Sequence, residues 1–373
     1  MSTKINVRSP YYVKIPTGGV SASLHYVTLN LFVWTGETTN IPGTANYTFT
    51  KYEIADSNYV VFELSEYIKD FLVTEYGVYS TDIVWVKYTY SIYDSAGTNI
   101  FSGSSGNMLG VDGYGYFEDG VNPQLSQQLL QSNTILYYNE GQDIIFPIWA
   151  EFLPEINVSS GGGADIDWNV VEDFWDLYNV SWGFDFLQIV DNGNTNQKIQ
   201  YVRISSSEEL ADGDTITITS PTGGTTVITL EEVCEPKYSP LNVIFYNKFG
   251  ALQNIWFFKK SVTSLSTTSE SYKANVMNFD STPTYSETSP QYQVFNKQGR
   301  ENIRCSTGFI DEQYNEVIKQ LMLSEQVWID NGIDVLPVSV ASNSLEFKKG
   351  VNDKLIDYTL DFQYAFDKIN SLR

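Results

Sequence analysis

The chain has 373 residues, of which 42% are apolar and 18% are charged, a balance that predicts a globular protein and argues against a disordered one. Its 45 acidic and 22 basic residues give a formal net charge of −23, which argues against direct nucleic-acid binding through phosphate contacts. No apolar run is long enough for a membrane span, and the first residues, MSTKINVRSPYYVKIP, lack the apolar region of a secretory signal.

Composition and length together predict a mainly β, multi-domain protein of β-sandwich type with one or two short helices. Aromatic residues reach 15%, and aromatic side chains suit pleated, half-buried surfaces. A chain of this length exceeds one ordinary hydrophobic core, so we expect two or three domains. We predict an N-terminal β-sandwich domain over 1–125, a middle inserted β domain over 126–236, and a C-terminal β domain with one helix over 237–373.

The N-terminal domain shows the alternation of apolar and polar residues that is typical of half-buried strands. Two such strands are predicted around residues 27–33 and 84–92, and Asp94–Gly97 supplies a turn to a return strand. Ser65 is predicted to cap one short helix. The glycine-rich, acidic stretch 106–123 is interpreted as a long connection.

The middle domain is predicted to contain two hairpins and a further strand. The first hairpin is TILYY and DIIFPIWAEF, joined by the turn NEGQ at 139–142, and the second is DTITITSPTGGTTVITL. KIQYVRI is a strand between them. SSGGGADID, at 159–167, is a linker or loop tip. The aromatic stretch that follows is compatible with either helix or strand over its first half.

The C-terminal domain begins with two predicted strands that meet in a tight turn at residues 248–250. The Ser/Thr-rich stretch 261–291 shows few strand signals beyond SYKANVMNF, whereas GRENIRCSTGF does predict a strand. One helix is predicted over 311–329, capped by Asp311 and carrying an apolar stripe. Two short strands, VLPVSV and SLEFKK, precede the final strand.

The final strand, DKLIDYTLDFQYAF, carries an aromatic face and an acidic face. Its apolar residues take every second position, so we expect that face to pack against the helix 311–329 or an opposing sheet. Asp357 and Asp361 point the opposite way. Outward charges on a strand deter unwanted edge pairing, and the same row can instead form a contact between subunits. Both readings of Asp357 and Asp361 stay open.

Residues suited to catalysis or metal binding are present but form no recognisable motif, so we predict no enzyme, no cofactor and no metal. His25 is the single histidine and has no GxSxG elbow to accompany it. Of two carboxylate clusters, the first has the residue types for acid catalysis and both have those for Ca²⁺ binding, but neither matches the EF-hand spacing. These clusters are Asp165, Asp167, Glu172 and Asp173, and Asp112, Glu118 and Asp119.

Trp168 and Trp175 are the candidate ligand-binding residues, because aromatic rings beside carboxylates can stack on sugars. They support an alternative function, a receptor- or glycan-binding fibre or capsid decoration module with a host surface glycan as partner. The two cysteines, Cys234 and Cys305, are too few for a disulfide framework and are predicted to be free thiols.

Several stretches together resemble virion structural proteins of tailed phages of Bacteroidota bacteria, including the crAss-like group. They are NVRSPYYVKI, PLNVIFYNKFGALQNIWFFKK, GFIDEQYNEVIKQLMLSEQVWI, VLPVSV and NDKLIDYTLDFQYAFDKIN. The resemblance covers both ends and residues 240–373, and it carries no catalytic residue over. It implies a tail, neck, collar or baseplate component that is made in the host cytoplasm and resides in the virion. Such a component assembles into a ring with copies of itself and with other virion proteins.

Overall fold

The fold is mainly β, as the composition predicts. The computed structural model describes residues 3–17, 26–53, 57–72, 83–124, 127–149, 155–159, 165–166, 187–190, 199–204, 211–220, 224–234, 237–279, 281–348 and 356–369. The chain divides into two compact units. Unit 1 comprises Met1–Cys234, Phe245–Asn254 and Gln313–Ser324, and unit 2 comprises Glu235–Ile244, Ile255–Glu312 and Glu325–Arg373. The three-domain boundaries stay a prediction.

The N-terminal part of unit 1 places a six-stranded sheet against a two-stranded sheet and a short helix. Its elements are β1 (Lys4–Asn6), β2 (Tyr12–Pro16), β3 (Tyr26–Trp34), β4 (Tyr47–Tyr52), β5 (Tyr59–Glu63), α1 (Ser65–Lys69), β6 (Ile83–Tyr93), β7 (Asn99–Ser104) and β8 (Met108–Val111). The large sheet has the order β1-β8-β6-β3-β4, with β7 on β6, and β2 pairs with β5.

Alternating side chains of these two layers form the first core. Val27, Leu29 and Leu31 of β3 are fully buried, which confirms the predicted inward face. The opposing layer contributes Ile15, Phe62 and other apolar residues of β2, β5 and α1. The predicted connection 106–123 is partly wrong, because its residues MLGV form β8, a fully buried strand between β1 and β6.

The middle part of unit 1 consists of two further sheets around a second core. Its strands are β9 (Ile135–Tyr138), β10 (Ile144–Trp149), β11 (Glu155–Ser159), β12 (Asp165–Ile166), β13 (Leu187–Val190), β14 (Ile199–Ile204), β15 (Thr215–Thr219) and β16 (Thr225–Glu232). The hairpin β15–β16 and the strand β14 are confirmed. The first predicted hairpin is wrong: β9 pairs with β16 and β10 with β14, so the turn 139–142 joins two sheets.

Unit 2 is built on one seven-stranded sheet with the order β18-β17-β23-β24-β25-β22-β19. Its strands, with the small pair β20 and β21, are β17 (Leu241–Tyr246), β18 (Leu252–Phe257), β19 (Val262–Lys273), β20 (Met277–Asn278), β21 (Thr284–Tyr285), β22 (Tyr292–Ile310), β23 (Val327–Asp330), β24 (Val335–Val340) and β25 (Ile356–Tyr364). The turn between β17 and β18, and the adjacent ends of both strands, belong to unit 1.

The sheet of unit 2 curls so that the chain just after β18 approaches β22. The amide of Lys259 donates a hydrogen bond to the carbonyl of Ser306 at 3.1 Å. The rings of Phe257 and Phe362 meet edge to face with centroids 5.7 Å apart. Part of the aromatic face of β25 therefore packs against an opposing part of its own sheet.

The predicted helix over 311–329 is too long. The helix α2 spans Tyr314–Leu323, its N-cap is Gln313, and no side chain caps it. Residues 327–330 instead form β23, because Val327, Trp328 and Ile329 are all buried as neighbours, which an amphipathic helix does not allow. The described part of SLEFKK, which ends at Lys348, is also not a strand: residues 341–348 have no regular structure.

Within unit 1, α2 lies against the loop that follows β8 and against the chain before β9. Tyr116 donates a hydrogen bond to Glu316 at 2.7 Å, and the ammonium of Lys319 lies 3.5 Å from the Tyr116 ring centroid. Gln320 donates to the hydroxyl of Ser132 at 2.6 Å. Burial raises the pKa of Tyr116 far above its ordinary value, and the hydrogen bond to Glu316 raises it further. These contacts fix the short helix despite its lack of a capping side chain.

Candidate interaction surface

A long two-stranded hairpin extends from the sheet of unit 2, and we call residues 262–299 the β-arm. Strand β19 pairs with β22 from Val262 opposite Arg304 to Lys273 opposite Tyr292. Strand β25 pairs only with residues 302–310 of β22, so among the described strands only β19 pairs with β22 before Asn302. Nine residues of β19, 265–273, thus extend past the residues of β22 that pair with β25, which at ~3.4 Å per residue is about 31 Å.

The β-arm exposes an unusual number of large apolar side chains. The exposed residues are Val262, Leu265, Tyr272, Met277, Phe279, Tyr285, Tyr292, Val294 and Phe295. The five aromatic side chains are between 47% and 66% exposed. At roughly 200 Å² per aromatic side chain, they present roughly 600 Å² of surface. The strand register places Tyr272 and Phe295 on one face of the hairpin and Tyr292 on the other, so this area is divided between the two faces.

The β-arm is nearly neutral although the chain is strongly acidic. It contains three carboxylates, Glu270, Asp280 and Glu287, and two lysines, Lys273 and Lys297, for a net charge of −1 against −23 for the whole chain. Apolar side chains with few charges are the composition of interface cores, from which charged residues are depleted. Its composition therefore suits a surface that becomes buried against another protein.

The two edges of the β-arm differ in regularity. The register shifts between Thr268 and Glu270 on one strand and Gln298 and Phe295 on the other, so the extra residue lies on β22. Asn296, at this bulge, has a φ of 49°, the left-handed conformation that asparagine tolerates. The bulge bends the β22 edge and leaves the β19 edge continuous over its twelve residues.

The base of the β-arm is held by the segment that follows β25. The amide of Lys368 donates to the carbonyl of Gly299 at 2.7 Å, and its ammonium pairs with Glu301. Arg300 pairs with Asp367 at 3.0 Å. The part of the β-arm that projects freely therefore begins near residue 297.

Asp357 and Asp361 lie on the outward face of β25, as predicted, and each is paired with a cation. Arg304 holds Asp361 through two hydrogen bonds of 2.6 and 2.9 Å, and Lys348 pairs with Asp357 at 2.7 Å. The hydrogen bonds from Arg304 lower the pKa of the Asp361 carboxyl. Both carboxylates thus serve contacts within unit 2, whereas a role for either between subunits stays a prediction.

A second exposed surface covers the outer side of strands β7, β6, β3 and β4, and we call it the hydroxyl face. Its polar members, placed on one side by the strand register, are Thr28, Asn30, Thr48, Thr50, Thr89, Ser91, Ser102 and Ser104. Tyr52, Tyr26 and Tyr93 form a row beside them, with centroid distances of 5.5 Å and 4.8 Å. None of these positions is acidic.

The predicted ligand-binding residues Trp168 and Trp175 lie outside the described residues, as do His25, Asp167, Glu172 and Asp173. Asp165 begins strand β12, where its backbone pairs with Ser159. Among the residues that the structure describes, no three or more His, Cys, Asp or Glu side chains form a group that could hold a metal ion. Asp112, Glu118 and Asp119 are therefore not brought together as the Ca²⁺ cluster considered above.

Both cysteines are free thiols, as predicted, in different surroundings. Cys305 is fully buried, and burial raises the pKa of its thiol to about 12. Cys234 is exposed, and the nearby charge of Glu232 raises its pKa. A thiol reagent therefore reaches Cys234 in the folded chain and reaches Cys305 only when unit 2 opens.

No helix in the described part of the chain combines the length and apolar character needed to cross a membrane. No protein-family model matches the chain, and no curated protein matches it. A solved structure that is similar in part is the "Crystal structure of Dpr2 Ig1-Ig2 in complex with DIP-Theta Ig1-Ig3", with 12% identity, a TM-score of 0.19, and coverage of 62% of this chain and 93% of that chain. At this TM-score the likeness carries no argument.

The β-arm is an interaction surface that the sequence pattern does not predict. The polar stretch 261–291 shows few strand signals beyond SYKANVMNF, yet β19 is among the longest strands described. The available signal was the threonine content of VTSLSTTSESYK, since β-branched residues favour strands. The strand β19 lacks the alternation of apolar and polar residues by which strands are recognised. This alternation arises only when one face of a strand is buried, and both faces of β19 are exposed.

Proposed function

We propose that the chain is a phage virion structural protein, a subunit of a tail, neck or baseplate ring that assembles with copies of itself and other virion proteins. The observation that carries the assembly role is the β-arm, an exposed, nearly neutral hairpin rich in aromatic side chains. Monomeric proteins avoid long exposed apolar edges, because such edges pair with other chains. The virion setting is supported by the sequence resemblance at both ends and over 240–373.

Mass spectrometry of purified phage particles tests this function. The measurement is made on the wild-type chain and on a variant that lacks the β-arm. We expect the chain in particles at a copy number that fits a ring. In the test variant, residues 268–298 are replaced by an Asn-Gly turn between Thr267 and Gly299, which lie opposite each other. We expect this variant to keep Cys305 protected from thiol reagents and to be lost from the particles. A chain absent from particles, or an armless variant that is incorporated normally, contradicts the proposal.

Binding of a neutral glycan is a second candidate function, and the hydroxyl face is the observation that favours it. Sugar hydroxyls bind to side chains that both donate and accept hydrogen bonds, such as serine, threonine and asparagine. Neighbouring members of the face already bond across strands, as Thr48 does to Asn30 at 2.8 Å, so their positions are fixed. Tyr52 is 73% exposed and offers a ring for stacking.

A glycan array with purified chain tests this second function. We expect Tyr52→Ala to weaken binding about tenfold, since one aromatic contact contributes roughly 1–1.5 kcal/mol. Tyr12→Ala is the matched control, because Tyr12 is 54% exposed on β2 and lies away from the hydroxyl face. No binding to any host-surface polysaccharide, or equal effects of both substitutions, rejects a glycan role for this face.

A further inference from the structure

We infer that two copies of the chain pair through the outer edge of β19, antiparallel about a two-fold axis at Thr268. The two seven-stranded sheets then form one continuous sheet across the pair. The inference rests on the proposed role in assembly and names the partner of the β-arm as a second copy of this chain.

The β19 edge is a template for strand addition. In the described residues β19 is the last strand of its sheet, and all twelve of its residues are exposed. At ~3.4 Å per residue, its unpaired backbone groups extend over about 40 Å. Proteins that remain monomeric protect such edges with lysine, proline or a bulge. From 262 to 272 the strand has neither lysine nor proline, and the bulge of the hairpin lies on β22.

The side chains of β19 are compatible with those of a second, antiparallel β19. In the proposed register, Glu270 lies opposite Ser266 and Lys273 lies opposite Thr263, so no like charges face each other. Thr268 lies opposite its own counterpart at the two-fold axis, and threonine pairs are favourable across strands. A strand with one acid and one base has no net charge, which suits contact between identical copies.

The length of the β-arm reduces the repulsion between two acidic copies. Each chain has a net charge of −23, so approach through a charged surface is unfavourable. The β-arm extends about 31 Å beyond the residues of β22 that pair with β25, and the Debye length at physiological salt is about 8 Å. Pairing along β19 therefore keeps the rest of the unit 2 sheet in one copy several screening lengths away from the rest of that sheet in the other copy. The exposed Val262, Leu265 and Tyr272 add apolar surface that becomes buried in the pair.

Sedimentation velocity of the full chain at micromolar concentration tests the pairing. We expect the wild-type chain to contain dimers, or multiples of dimers, and the double variant Ser264→Lys/Thr268→Lys to raise the dissociation constant at least tenfold. Both residues are exposed on β19, so the fold is preserved. The matched control is Ser102→Lys/Ser104→Lys on β7, an edge strand of another sheet, and it is expected to leave association unchanged.

Cross-linking locates the contact independently. In a Cys234→Ser background, Thr268→Cys is expected to give a covalent dimer with a short bismaleimide, whereas Ser104→Cys gives none. A monomeric wild-type chain, unchanged association in the β19 lysine variant, or equal cross-linking at both positions overturns the inference. A chain that is present in particles but does not pair through β19 leaves the proposed function intact. A chain that pairs through β19 but is absent from particles supports the pairing and rejects the virion role.

Discussion

Replacing Leu360 with Asp opens the sheet of unit 2 and lowers its free energy of unfolding by about 4 kcal/mol or more. Leu360 is fully buried in β25, and the strand register places it opposite Cys305, which is also fully buried. A carboxylate at this position loses its hydration without gaining a cation from the opposite residue. A cost of this size is a large fraction of the 5–15 kcal/mol that stabilises an ordinary domain.

Cys305 itself provides the measurement for this variant. In a Cys234→Ser background, we expect Leu360→Asp to make the Cys305 thiol reactive towards a thiol reagent in the absence of denaturant. Thr359→Asp is the matched control, because it adds the same charge at the next residue, which is exposed on the opposite face. We expect the control to keep Cys305 protected. Protection of Cys305 in Leu360→Asp contradicts the inward orientation of Leu360.

The orientation of β25 could be read from the sequence because one of its faces is buried. Ile356, Tyr358, Leu360 and Phe362 alternate with polar residues, and the structure buries all four. The cations that pair with Asp357 and Asp361 could not be predicted in the same way. Arg304 is 57 residues distant in sequence from Asp361, and only the pairing of β22 with β25 brings them together.

The β-arm marks the limit of pattern-based prediction. A period of two in apolar residues identifies a strand that has one buried face, whereas every residue of β19 is exposed. The same limit applies to the division of β9 and β10 between two sheets. A turn such as 139–142 has the sequence of a hairpin, and only the competing partners β16 and β14 determine that its strands separate.

The turn between β17 and β18 was predicted at its correct position, but its tight packing was not visible in the sequence. Asn247 is fully buried, its side-chain oxygen accepts the amides of Phe249 and Ala251, and its side-chain amide donates to the carbonyl of Leu130. Gly250 has a φ of 74° and lies against the backbone of Asp112. The turn is thus a fixed part of unit 1.

Gly250→Ala is expected to lower the free energy of unfolding of unit 1 by about 3 kcal/mol, for two separate reasons. The left-handed backbone conformation costs a non-glycine residue ~1 kcal/mol. A Cβ atom at this position also lies 2.9 Å from the carbonyl carbon of Asp112 and 3.0 Å from two backbone nitrogens, which cannot rotate away as a side chain does. Gly141→Ala isolates the first reason, because Gly141 has a φ of 83° and open space around its Cβ position.

Hydrogen exchange of peptides that cover residues 108–116 and 245–254 measures the difference between these two variants. Exchange reports opening within unit 1 directly, whereas a single unfolding curve of a chain with two units mixes their transitions. We expect faster exchange in both peptides for Gly250→Ala and nearly unchanged exchange for Gly141→Ala. Equal exchange in the two variants means that the backbone conformation alone sets the cost. In that case the close approach of Gly250 to Asp112 contributes nothing to the stability of unit 1.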